Sequence, residues 1–167
     1  MKTLKWIDKN FEAFILTVLL ILMTLIMGIQ IVFRFVFNNS LSWTEELTRY
    51  LFVWSGFLSI AFAVEKGISI KVDMITLKMK KKVKSIVKII DNIIEIIFFG
   101  YMIPFAWEIV YDSYLDKQLS PACSIPIWII KSSALIGFIL CEVRLVEDIF
   151  KQVRIIQQNK EDADGSI

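Results

Sequence analysis

One apolar run, Phe11–Phe33, broken only by Glu12, Thr17, Thr24, Gly28 and Gln30, constrains this chain more than any other feature. At about 1.5 Å of rise per residue, a helix of that length crosses a hydrocarbon core of about 30 Å. Backbone polar groups in lipid must be satisfied within their own segment, so a lone run of this kind is expected to be a helix. It is too long for the apolar stretch of a signal peptide. Phe33-Arg34-Phe35 stands where a small-residue cleavage site would be, so the run is read as a retained anchor.

Three further spans are expected: about Leu47–Val64, about Ile86–Trp107 with a bend near Pro104, and Pro126 to about Val146. Pro126 suits the first turn of a helix, where its missing N–H costs nothing. With 56% hydrophobic residues and a mean hydropathy of +0.63, the composition belongs to a membrane protein. Residues 1–158 are thus expected to be an all-α domain of four transmembrane helices. Residues 159–167 (NKEDADGSI) read as a polar, unstructured tail.

Basic residues set the expected orientation. The first ten residues, the loop Glu65–Lys84 and the end after the fourth span hold fourteen lysines and arginines, whereas the other two loops hold three: Arg34, Arg49 and Lys117. Both termini and the central loop are therefore expected on the cytoplasmic side of the membrane. The formal net charge of only +2 offers no footprint for nucleic acid. The absence of histidine removes histidine-ligated haem, histidine zinc sites and histidine general bases. Cys123 and Cys141 lie about 27 Å apart if both sit on the last helix, beyond disulfide reach. No metal or cofactor site is expected in the chain, and no catalytic residue.

Two segments are expected to rest on the membrane surface. In Asn38–Glu46 (NNSLSWTEE), Ser42 and Glu45 have capping-box spacing, and Arg49 can pair with Glu45 or Glu46 on one helix face. Trp43 fits an aromatic belt. The central loop sets Lys78, Lys80, Lys81, Lys82 and Lys84 among apolar residues, a pattern for contact with anionic phospholipid headgroups. Within the spans, Lys88, Asp91 and Glu95 form one stripe, with Glu142 and Arg144 expected at similar depth on the fourth helix. Charge at mid-membrane costs on the order of 3 kcal/mol, so these groups should face protein. Structural pairing is the reading adopted over an ion path, with snorkelling for Lys88 and Lys131.

The stretch Arg34–Trp54, RFVFNNSLSWTEELTRYLFVW, resembles the signature of the small membrane (Q) subunit of tripartite ATP-independent periplasmic (TRAP) transporters. Arg34, Asn38, Ser40, Trp43, Glu45, Glu46, Arg49, Phe52 and Trp54 carry the match. Ile70-Lys71-Val72-Asp73 and Ser120–Leu140 are similar to two further stretches of that family, although Ser69 stands where the family often has histidine.

The resemblance implies a scaffold subunit paired with a large membrane subunit, which holds the substrate and Na+ sites. A periplasmic binding protein would deliver a carboxylate such as a C4-dicarboxylate or a sialic acid. It also implies that Arg34, Asn38, Ser40, Trp43, Glu45, Glu46, Arg49 and Trp54 serve the subunit junction or the docking surface. Two alternatives remain open on the residues. One is an autonomous homodimeric transporter or channel using Asp91 and Glu95, which the lack of an internal repeat disfavours. The other is the membrane anchor of a redox enzyme.

Overall fold

In the computed structural model, which describes residues 2–39, 41–67 and 81–164, the described residues form four helices. These are α1 (Lys2–Val36), α2 (Ser42–Glu65), α3 (Lys81–Leu115) and α4 (Ile127–Asp164). Among the described residues there is no strand, only an isolated bridge between Leu119 and Pro126. Among the described residues three segments are long and apolar enough to cross a membrane: Phe11–Val36, Ser42–Glu65 and Ser85–Leu115. The protein is thus a multi-pass membrane protein.

α4 falls short by composition, because Lys131, Glu142 and Arg144 interrupt its apolar stretch. Its position explains the difference. At their Cα atoms α4 comes within 8 Å of both α2 and α3, whereas α1 comes that close to α2 alone and meets α4 only through side chains. A helix covered by its neighbours needs less lipid-compatible surface than one at the rim. α4 also runs on to Asp164, into the stretch read from sequence as an unstructured tail. α3 continues as one helix through Pro104.

Small residues let the helices approach. Ser133, Gly137 and Cys141 recur every fourth position on α4 and are all buried. A Cβ on Gly137 would lie 2.8 Å from the Phe57 Cβ and 2.9 Å from the Phe57 carbonyl oxygen, so the α2 backbone passes directly over this glycine. Ala61 and Leu58 of α2 are buried on the same helix. This is the small-xxx-small logic of membrane helix contacts, in which close backbone packing replaces the hydrophobic effect.

On the α3 side, Phe138 of α4 meets the Phe57 ring edge-on at 5.6 Å and the Phe99 ring at 5.6 Å. α2 and α3 themselves never come within 8 Å of each other at their Cα atoms. A cleft floored by α4 therefore runs between them, with this aromatic cluster across its middle.

Residues 37–39 and 41, between α1 and α2, and the turn 116–126 lie at one end of the bundle, called here the hairpin end. At the first, Asn38 takes a left-handed φ of 51°, which asparagine tolerates, and the Asn39 N–H donates back to the Phe33 carbonyl at 3.2 Å. The chain then enters α2 directly. Residues 42–46 are its first turn, not a separate segment lying along the membrane.

Candidate functional site

The clearest polar assembly sits at the hairpin end, where the first turn of α2 grips the α3–α4 turn. That turn is pinned at its base by Ile127 N–H donating to the Gln118 carbonyl (3.0 Å) and Ser120 N–H to the Ile125 carbonyl (2.9 Å). Tyr114 and Trp128 close it from the side, ring edge to face at 5.9 Å. Its tip presents two consecutive amides to one carboxylate oxygen: Ala122 N–H donates to Glu46 Oε2 at 2.7 Å and Cys123 N–H at 3.1 Å. The Tyr50 hydroxyl, one helical turn on, donates to the other oxygen, Oε1.

Adjacent backbone amides make a small anion site, and bonds to an ionised acceptor are the stronger kind. With three donors in place, the Glu46 carboxylate holds a loop. The Cys123 thiol reinforces the clasp by donating to the Trp43 carbonyl at 3.4 Å. Burial and the nearby Glu46 charge push that thiol above its usual range, so it stays protonated as a donor.

The capping box expected from Ser42 and Glu45 does not form. Leu41 is the N-cap and no side chain caps the helix. Thr44, fully buried, bonds back to the Leu41 carbonyl through its N–H (3.3 Å) and its hydroxyl (2.6 Å). Glu45 Oε1 is committed elsewhere, accepting from Gln30 Nε2 of α1 at 2.8 Å. The expected pairing of Arg49 with Glu45 or Glu46 is also absent among the described residues. Both carboxylates are taken by nearer donors, and Arg49 is left exposed. Arg34 is exposed in the last turn of α1, Trp43 is exposed, and Trp54 is half-buried midway along α2. Ser40 lies outside the described residues.

At the opposite end, Arg144 is the organising group, 8% exposed. Its Nε and a terminal guanidinium nitrogen both reach Glu12 Oε1 of α1 at 2.7 Å, and its other terminal nitrogen reaches Glu147 Oε2 at 2.8 Å. Glu12 is 1% exposed. Sequence reasoning placed Arg144 opposite the α3 stripe and passed over Glu12 as a mere interruption of an apolar run. The signal was available: a carboxylate in a lipid-spanning stretch needs a cation, and Arg144 is a suitable one.

The stripe Lys88, Asp91 and Glu95 instead lines a cavity of about 380 Å³ in the α2–α3 cleft, together with Asn92 and Asp148. Asn92 Nδ2 donates to Asp148 Oδ2 of α4 at 2.9 Å. Glu142 lies against Gly100 of α3, where an added Cβ would sit 3.2 Å from its Oε1. Lys131, expected to snorkel, donates to the Ser113 hydroxyl of α3 at 2.5 Å. Lys78 and Lys80 lie outside the described residues, as do the side chains of Lys81, Lys82 and Lys84.

Comparison with known proteins assigns this architecture. The family described as "Tripartite ATP-independent periplasmic transporters, DctQ component" matches residues 23–155. The isethionate TRAP transporter permease protein DctMQ of Oleidesulfovibrio alaskensis is 27% identical over 158 residues, covering 91% of this chain but only 25% of that protein. The chain thus spans a quarter of that relative's length. A putative TRAP transporter small permease protein of Haemophilus influenzae is 28% identical over 149 residues, covering 87% of this chain and 91% of that one. The sialic acid TRAP transporter permease protein SiaT, also of Haemophilus influenzae, is 36% identical over 70 residues, 42% of this chain and 11% of that protein.

Proposed function

The chain belongs to the DctQ family of TRAP transporter components, and on that premise we propose that it is the small scaffold subunit of a binding-protein-dependent, Na+-coupled secondary transporter. Its partner is a large permease subunit that carries the substrate and Na+ sites. The substrate is an organic acid anion of the C4-dicarboxylate or sialic acid class. The name of the isethionate relative extends that chemistry to a sulfonate. The chain sits in the inner membrane with α4 as its fourth span and both termini cytoplasmic, as the fourteen-to-three distribution of basic residues favours. The hairpin end then faces the periplasm, and the clasped turn 116–126 forms part of the surface that meets the binding protein.

The observation that carries this reading is α1. Of its described side chains only Glu12 and Gln30 are buried, while Phe14, Leu20, Leu25, Ile29 and Val32 are exposed. A helix tied to its own bundle at two polar points, and apolar elsewhere, is suited to a second membrane protein as well as to lipid. The relative in which a match to this chain makes up a quarter of one polypeptide supports a partner about three times its size.

The test is affinity purification of the tagged chain from its native membrane in mild detergent. A near-equimolar polytopic protein of much greater size is expected. A chain that emerges alone as a monodisperse dimer, and that drives ion-coupled flux when reconstituted, would overturn the proposal in favour of the autonomous transporter built on Asp91 and Glu95.

A further inference from the structure

Phe57, Phe99 and Phe138 cross the middle of the α2–α3 cleft. On their hairpin side lies a chamber of about 360 Å³, walled by Val53, Met102, Phe105, Ile109 and Ala134 among others. Lys131 is the one charged side chain in its lining. Along α4 the chamber runs from Lys131 to Phe138, about 10 Å of helix axis. Phe105 and Ile109 are exposed at its rim, so it opens sideways to the surrounding acyl chains.

Lys131 differs from Arg144, the other cation within the expected fourth span. Arg144 meets two carboxylates, those of Glu12 and Glu147. Lys131 meets a neutral hydroxyl: its Nζ donates to Ser113 Oγ, which donates onward to the Ile109 carbonyl at 2.9 Å. Glu108, Asp112 and Asp116 stand on the same end of α3, but among the described residues no carboxylate pairs with this ammonium. The two connections at the hairpin end are described throughout except for Ser40, which carries no charge. An ammonium has three N–H donors, so two are left beside the chamber. The depth is that of a headgroup. Lys131 lies about 6 Å into α4, which starts at Ile127, and Ser113 lies about 3 Å before the end of the candidate span at Leu115.

We propose that this chamber seats one phospholipid from the leaflet at the hairpin end, with its phosphate on Lys131 and an acyl chain running past Met102 and Ala134 toward Phe57 and Phe138. A cation without a counter-charge at the edge of the hydrocarbon is costly, and a phosphate supplies both the charge and the acceptor oxygens. The rest of the wall is apolar and suits an aliphatic chain. α2 and α3 stand too far apart to close the chamber on themselves, so the chain fills space that their own side chains do not. Size decides against a helix of another protein. At about 10 Å across, a helix occupies roughly 800 Å³ over the same length, more than the chamber holds. The proposal needs only the membrane location of the chain, not the identity of its partner.

Native mass spectrometry of the full-length chain in an uncharged mild detergent tests it, with equimolar phosphatidylglycerol and a galactosyl diacylglycerol of the same acyl chains. The expected result is one retained lipid, with the phospholipid favoured by at least about fivefold, equivalent to about 1 kcal/mol. Lys131→Met should abolish that preference, and Ala134→Phe, which fills the chamber, should abolish retention of both lipids. Equal retention of the two lipids by the wild-type chain overturns the proposal without any variant. An unchanged preference in Lys131→Met also overturns it, since the phosphate would then sit on other basic residues. A lipid-free assembled complex, with Ile109→Cys cross-linked to a partner helix, would overturn it in favour of a protein occupant.

Discussion

α1 and α4 invert the usual link between apolarity and burial. α1 contains the longest apolar stretch in the chain, yet among its described side chains the buried ones are a glutamate and a glutamine. α4 carries charges along its length and contributes the most to the interior, burying Ser133, Leu135, Cys141, Arg144 and Leu145. In water an apolar stripe marks the face turned inward. In lipid an aliphatic side chain gains little by leaving the solvent, so packing is decided by small residues and by polar groups that must find partners. Glu12 and Gln30, about 27 Å apart along α1, anchor it to Arg144 at one end and Glu45 at the other. Apolarity in this chain therefore reports what faces outward.

The sharpest way to break that contrast is to remove the cation at one anchor. Arg144→Met leaves Glu12 buried and uncompensated, a loss expected at about 3–5 kcal/mol. Thermal unfolding in detergent should show it, and adding Glu12→Gln should recover most of the stability. Equal melting of the single and double variants would mean that the pair contributes no specific coupling.

The small-residue contact comes next. Gly137→Ala drives a methyl into the Phe57 backbone, which cannot swing aside as a side-chain end can. A cost of about 1–3 kcal/mol is expected by the same assay.

The clasp is read chemically. Glu46→Ala frees the amides of Ala122 and Cys123 and, while burial still raises the Cys123 thiol, removes the charge that adds to that rise. Alkylation of Cys123 should become several-fold faster and its pH onset should move down. The sign follows from the thiol's raised value: the wild-type thiolate appears only at higher pH than for an ordinary cysteine. An unchanged onset would separate Cys123 from Glu46.

The smallest effect is expected on the outward face of α1. Leu25→Ala, at an exposed position, should change the chain's own melting by less than about 0.5 kcal/mol. In the affinity purification, the same substitution should reduce copurification of the large partner if this face carries the subunit contact.

The first three spans were legible because hydropathy and length are local properties. They needed only the apolar runs and the limits of a hydrocarbon core. The Ser42–Glu45 capping box failed for a reason that no local pattern contains, since Gln30 of another helix takes the carboxylate. The clasp was half-legible. Glu46 stood out in the signature, but the amides it holds lie 76 and 77 positions away in a turn whose sequence suggests no anion site. Gly137 could have been found from the four-residue spacing of Ser133, Gly137 and Cys141, and Glu12 from the cost of a lone carboxylate in lipid.

Sequence alone determined that this chain lives in a membrane, where its first three spans lie and which family it resembles, because solvent preference and signature are carried by neighbouring residues. The tertiary structure decided which charge meets which. Arg144 chose Glu12, 132 positions away, over the nearer stripe of α3, and Glu46 chose a loop over Arg49. The physical reason is that in lipid each buried polar group must end within hydrogen-bonding distance of a partner, and only the packed bundle sets those distances.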